Sequence, residues 1–334
     1  MMTPLKTWCL LYLSVLLLLL SIAPTLSEVV QSMTQCEGFF LRESPPNIPD
    51  ILEKGKFYKQ QRYKRICQTY NDEKRFVTLY DTKNKIPVFS AFKFRGAGVD
   101  TKKLCFSRPP WKIEPQLEHL RRGRNMQDCN SVKYNHQASD QDYKDQVRYS
   151  RGHLFPCSYA FNESDKKSTF TLTNTVPQVQ SFNEGSWGKM ETCVKCVLEG
   201  YCLQNEGYVV TGALPGRDKL NNRVNVPSIL WSAFCCYSDK KNKWLASAFW
   251  ELNGQSKREY MHTNTLEQLQ KKWEKITRKT GFEVFPGTNC PLKETVAELY
   301  HEINNKKKKK KCQCPSKAAT TSFHFPHAWL KKTG

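Results

Sequence analysis

Residues 171–193 read TLTNTVPQVQSFNEGSWGKMETC. The first half carries β-branched residues and ends in polar, turn-prone sequence, so it reads as a strand running into a loop. The second half reads as the start of a helix. With that helix beginning just after Asn183, the residues Asn183, Trp187, Glu191 and Lys195 are each four apart. Residues at i and i+4 are neighbours on a helix, so an amide, a carboxylate and an ammonium line one stripe. Asn183 stands at the helix entry, where an ordinary N-cap asparagine is the plain alternative. Asn174 lies where the strand ends, and its plain alternative is a turn asparagine.

Thirty residues upstream of Asn183 stands "YSRGHLFP", residues 149–156, which contains His153. A strand, a loop and a helix that gather His, Asn, Asn and Glu form a cleft suited to a hard cation and a phosphate. Further out, strand-like runs recur: "RFVTLYDT", "IPVFSAFKF", "STFTLTNTVP", "GYVVTGALP", "SILWSAFCCY" and "WLASAFWE". Helical spacing is rarer, confined to residues 185–203 and 265–279, the latter with Thr265 as N-cap. Many antiparallel-type strands with few helices predict an α+β fold with a mixed, mainly antiparallel sheet.

The chain opens with Lys6 and the apolar run "WCLLYLSVLLLLLSIA", then the small residues "PTLS". This is a secretory signal peptide over residues 1–27, with an uncleaved anchor as the alternative. Residues 28–291 read as one globular unit, and residues 292–334 as a basic, mobile tail. Fourteen cysteines fit an oxidising lumen, and thirteen remain once Cys9 leaves with the signal. An odd count leaves at least one thiol free or intermolecular. The pairs Cys193-x-x-Cys196 and Cys312-x-Cys314 leave zinc open, but disulfides are the better reading of a secreted chain. Adjacent Cys235 and Cys236 are expected to bond to different partners. Asn162-Glu163-Ser164 is a glycosylation sequon, so Asn162 belongs on an exposed loop. The formal charge is +21, of which lysines 306–311 supply six. That balance favours polyanionic partners: nucleic acid, heparin-like glycans or acidic membranes.

Together, "RGH", "TNTVPQ" and "FNEGSWGKME", in this order and spacing, resemble the DNA/RNA non-specific endonucleases, the ββα-metal or His-Me finger enzymes. The blocks "FVTLYDTKNKIPVFSAFKF", "NHQASDQDY", "YVVTGALPG" and "VNVPSILWSAFCCY" are similar to the secreted endonuclease domain-containing 1 subfamily. The resemblance spans about residues 36–291 and implies a ββα-metal nuclease core. It also implies roles. His153 is the general base. Asn183 is the protein ligand of a catalytic Mg²⁺, or another divalent cation such as Mn²⁺. Glu191 orients the metal's waters, and Asn174 supports the site. Arg151 lies near the phosphate, Arg108 is a second phosphate-binding arginine, and Lys195 stands where an arginine is common. The implied reaction is phosphodiester hydrolysis of DNA and RNA with little base preference, outside the cell.

The sequence departs from the family pattern at Ser150, where the motif Asp-Arg-Gly-His carries aspartate. The fold reading is unaffected, and the rate is put in question. The rival expectation is therefore a pseudonuclease, a secreted polyanion-binding protein that has lost turnover. A disulfide-rich structural or defence protein that binds glycans or membranes is a third.

Overall fold

The computed structural model describes residues 28–96, 98, 105, 107, 109–130, 132–254, 259–305 and 312–316. The expected signal peptide, Arg108 and lysines 306–311 lie outside the described residues.

A seven-stranded antiparallel sheet forms the centre. Its strands are β1 (Val29–Val30), β2 (Tyr63–Tyr70), β3 (Glu73–Asp81), β4 (Ile86–Arg95), β7 (Glu206–Leu220), β8 (Val224–Ser238) and β9 (Lys243–Leu252). They lie in the order β1-β2-β3-β4-β7-β8-β9. Between β4 and β7 the chain leaves the sheet and builds a separate two-stranded ribbon, β5 (Tyr149–His153) against β6 (Thr175–Val179). Around the sheet, among the described residues, pack the helices α1 (Glu163–Thr169), α2 (Gly188–Tyr201), α3 (Leu266–Thr277) and α4 (Tyr300–Asn305), with shorter helical turns at Pro115–Glu118 and Gln180–Phe182. The architecture is α+β, as the sequence predicts.

Strand alternation sends side chains to opposite faces, so the sheet is covered on both. Phe92 and Phe94 pack on the face that also buries the ribbon and helix α2. Phe89 and Ala91 pack on the other, beneath Leu266, Leu269 and Trp273 of α3. The same alternation separates Cys235 from Cys236, which pair with Cys290 and Cys202 respectively. Thr265 caps α3 as expected, its side chain accepting from Gln268 N at 3.1 Å.

Among the described residues six disulfides form, and Cys129 is the free cysteine. Cys193 pairs with Cys314 and Cys196 with Cys312, so these four cysteines are covalently paired rather than arranged as thiolate ligands.

Two segments differ from the sequence reading. "STFTLTNTVP" is not one strand: residues 168–174 form the end of α1 and a 3-10 turn, and β6 starts only at Thr175. Asn174 therefore precedes the strand instead of ending it. Beyond residue 291 the chain does not leave the domain at once. Val296, Leu299, Tyr300 and Ile303 are buried in the core shared with α2, and two disulfides hold residues 312 and 314 to the same helix. The apolar residues at 296, 299, 300 and 303 have helical spacing. That pattern is short and sits beside a dominant run of lysines.

Candidate active site

The ribbon sets the first half of the site. In its register His153 faces Thr175, Gly152 faces Val176, Arg151 faces Pro177 and Ser150 faces Gln178. Gly152 is required here, because a Cβ would lie 2.7 Å from the Cβ of Gln178. The ribbon stays short because Asn174 fixes its open end. Asn174 is fully buried; its Oδ1 accepts from Phe155 N at 3.0 Å. Its Nδ2 donates to the carbonyls of Phe155 and Thr169 at 3.1 and 3.0 Å. Asn174 thus ties the segment after His153 to the end of α1.

The imidazole of His153 packs against Trp111 and Phe170, with ring centroids 5.3 and 4.9 Å away. Its Nε2 is buried and has no hydrogen-bond partner. Burial among these rings lowers its pKa from 6.5 to about 4, because the apolar surround disfavours the charged form. His153 is therefore neutral at physiological pH.

The second half of the site is the helical segment after β6. Asn183 is not an N-cap. Its backbone is right-handed helical at φ −58° and ψ −49°, and it opens a π-turn, Asn183–Trp187. Gly188 N–H donates to the carbonyl of Asn183, five residues back. Gly185, at φ −91° and ψ −116°, absorbs the extra residue. Single π-turns inside helices recur at functional sites. The Asn183 side chain reaches across to the ribbon, its Nδ2 donating to Ser150 Oγ at 3.0 Å. This bond joins the two halves of the site.

One turn further along α2, Glu191 Oε1 accepts from the indole N–H of Trp187 at 2.9 Å. Trp187 is itself buried. Burial raises the Glu191 pKa from 4.5 to about 8, against the opposing effect of the indole hydrogen bond. The peptide carbonyl of Glu191 accepts from Tyr159 OH at 2.6 Å, which fixes the helix at this point.

The expected cationic residues are already engaged. Arg151 donates to Asp140 Oδ1 at 2.5 Å and to the Asp140 carbonyl at 3.1 Å. Its guanidinium sits between the rings of Trp111 and Tyr143, at 5.2 and 5.0 Å. Lys195 donates to the Ser158 carbonyl at 2.7 Å. The sequence reading missed Trp111, Asp140, Tyr143 and Phe170. Tryptophan next to the "RPP" turn and aspartate in "ASDQDY" were the available signals, but nothing in their spacing links them to His153.

The fit to a cation rests on Asn183. Among the described residues no protein group donates to its Oδ1, and no group of three or more His, Cys, Asp or Glu could hold a metal ion. A neutral amide oxygen suits Mg²⁺, which keeps several waters and takes few protein ligands.

A short ribbon bearing histidine, tied through an asparagine to a helix bearing a carboxylate, defines an α+β protein with a ββα unit. The family model "DNA/RNA non-specific endonuclease" matches residues 53–290, and the chain belongs to that family. Among relatives, the human "Endonuclease domain-containing 1 protein" is 29% identical over 214 residues, covering 60% of this chain and 39% of that protein. Human mitochondrial "Endonuclease G" is 31% identical over 111 residues, covering 31% of this chain and 36% of that protein. The chain thus spans about two fifths of the length of these curated relatives. A solved structure described as "Crystal structure of the EndoG/EndoGI complex" has TM-score 0.46 and 19% identity, covering 60% of this chain and 81% of that one.

Proposed function

We propose that the chain is a secreted endonuclease that hydrolyses phosphodiester bonds in DNA and RNA with the help of a divalent cation, Mg²⁺ or Mn²⁺. The observation that carries this reading is the bond from Asn183 to Ser150, which fastens a cation-competent amide to the strand that carries His153. An imidazole kept neutral by burial has its lone pair free at neutral pH; the same burial makes it a weaker base, so the charge it gains on taking a proton from water needs the negative phosphate beside it. Its Nε2 is enclosed and has no hydrogen-bond partner, so it is assigned the hydrogen. Nδ1 is then the nitrogen that takes the proton. Glu191, held by Trp187, orients water in the cleft. Bound at Asn183, the cation would stabilise charge developing on the leaving oxygen.

Arg151, two residues before His153 in the ribbon and bonded to Asp140, is the residue assigned to hold the phosphate. Contacts of this kind go to backbone phosphate and carry no base information, so cleavage has little sequence preference. Six disulfides fit an oxidising compartment, and among the described residues no helix is long and apolar enough to cross a membrane. Asn162 is exposed and caps α1 through Oδ1, which accepts from Asp165 N at 2.8 Å. Its Nδ2, the atom a glycan attaches to, is left for modification.

The test is incubation of the purified protein with plasmid and with RNA in Mg²⁺ or Mn²⁺, with and without EDTA. Cleavage that EDTA abolishes supports the reading. A second reading, a pseudonuclease that binds nucleic acid or heparin-like polyanions without turnover, is favoured by the replacement of the motif aspartate and by the internal engagement of Arg151 and Lys195. Retained heparin and DNA binding with no cleavage in any divalent cation would select it.

A further inference from the structure

We propose that Ser150 is a positioning residue that decides which end of the Asn183 amide faces the cation. The inference rests on the nuclease reading above and deepens it at the metal anchor. Ser150 lies opposite Gln178 in the ribbon. Its hydroxyl is 3.3 Å from the Gln178 carbonyl and 3.0 Å from Asn183 Nδ2. A hydroxyl owns one proton, and a carbonyl can only accept. The proton therefore goes to Gln178, and what Ser150 offers Asn183 is a lone pair.

Only the NH₂ end of the amide can meet that lone pair. A flipped Asn183 would set Oδ1 against an oxygen whose proton is already committed. The unfavourable contact could be relieved only by breaking the bond to Gln178. Asn183 Oδ1 is consequently turned away from the ribbon, free of protein donors among the described residues and available as a hard oxygen ligand. Oxygen and nitrogen of an amide have similar shape, so this orientation comes from the hydrogen-bond network.

An aspartate at position 150 would impose the same polarity, because a carboxylate only accepts. Serine keeps the direction of the bond and removes the negative charge. The cation is then held by amide and water dipoles, with less affinity than an acidic neighbour would confer.

The experiment is Mn²⁺ binding to the full mature chain, read by electron paramagnetic resonance of the free ion and by calorimetry, in the absence of nucleic acid. Wild type should bind saturably, and Asn183→Ala should abolish that binding. Ser150→Ala should weaken it roughly 10- to 100-fold, the usual cost of losing a partner that orients a metal ligand. Ser150→Asp should bind at least as tightly as wild type. Melting temperatures of the variants separate local loss from unfolding, and Ser150→Thr, which keeps the hydroxyl, should rescue Mn²⁺ affinity. Should Ser150→Ala bind Mn²⁺ like wild type while Asn183→Ala does not bind, the positioning role is overturned and the metal anchor stands. If wild type shows no site sensitive to Asn183→Ala, the metal anchor fails and this inference fails with it.

Discussion

At the scale of single residues, two partly buried titratable groups set the pH behaviour of the proposed chemistry, and they move in opposite directions. His153 is lowered to about 4 and Glu191 is raised to about 8. A base available from pH 4 upward does not limit activity near neutrality, whereas a carboxylate that ionises near 8 does. Cleavage should therefore rise with pH through about 8 at low Mg²⁺, and the rise should move to lower pH as Mg²⁺ saturates, because a nearby cation favours the carboxylate. A pH–rate profile at two Mg²⁺ concentrations checks this, and a single rise near pH 6.5, unaffected by metal, would contradict it. The stability effects follow the same shifts. The unfolded chain takes up the His153 proton below about 6.5 while the folded chain resists until about 4, so stability is lost as pH is lowered through that window. The folded chain keeps the Glu191 proton that the unfolded chain releases above about 4.5, so stability also declines as pH rises toward 8. Removing the imidazole with His153→Ala should lower the cleavage rate by roughly 10²- to 10⁴-fold, the usual contribution of a positioned acid–base group. Circular dichroism should be unchanged, and near-wild-type cleavage would remove His153 from the chemistry. The blocks that carry His153, Asn183 and Glu191 were legible as family sequence because they keep the family's order and spacing. The engagement of Arg151 by Asp140 was not, because an ion pair between residues eleven apart leaves no periodic trace.

At the scale of elements, the ribbon β5–β6 and the π-turn do the positioning. Their sequence signals differ in kind. The long strands β3, β4, β7, β8 and β9 were readable because each is a sustained apolar and β-branched run bounded by turn residues. The ribbon was only half readable. The run of threonines over residues 168–175 has high strand propensity, yet residues 168–174 turn instead, because buried Asn174 satisfies the carbonyls of Phe155 and Thr169 that a strand would leave unpaired. Tertiary hydrogen bonds overrode local preference. The π-turn was invisible, since one inserted residue disturbs the four-residue spacing of Asn183, Trp187 and Glu191 too little to show in sequence. Gly152 supplies the test at this scale. Its Cβ position is filled by Gln178, so Gly152→Ala must push the two strands apart or displace that side chain. Overpacking of this kind costs about 1–3 kcal/mol, and the displaced neighbour is the residue that accepts the Ser150 proton. Urea unfolding should show the loss of stability, and cleavage should fall with it. A variant with unchanged midpoint would show that the ribbon is looser than its register implies.

At the scale of the whole molecule, the basic charge and the disulfides meet at helix α2. The chain carries +21, and lysines 306–311 contribute six of those charges. On the near side of that run, α4 packs into the core with α2, and Tyr201 OH of α2 donates to Glu302 at 2.7 Å. On the far side, Cys312 and Cys314 are bonded to Cys196 and Cys193 of the same helix. Asn304 reinforces the connection by donating to the Cys314 carbonyl at 3.2 Å and accepting from Cys314 N at 3.0 Å. Both flanks of the lysines are therefore fixed to the helix that carries Glu191. Deleting the six residues would strain that closure and confuse charge with fold, so the informative change is replacement of all six lysines by glutamine. Each lysine that neutralises a phosphate of duplex DNA contributes roughly 0.9 to the slope of log binding constant against log salt. Replacement should flatten the slope by several units if the run lies along the duplex, while turnover on short substrates at saturation stays near wild type, because the groups proposed for the chemistry are on the ribbon, the π-turn and α2. Filter-binding titrations from low to moderate salt, with the disulfides confirmed intact by mass spectrometry, measure this directly. An unchanged slope would place the nucleic acid on the body of the domain, where the remaining basic residues would have to account for the affinity alone.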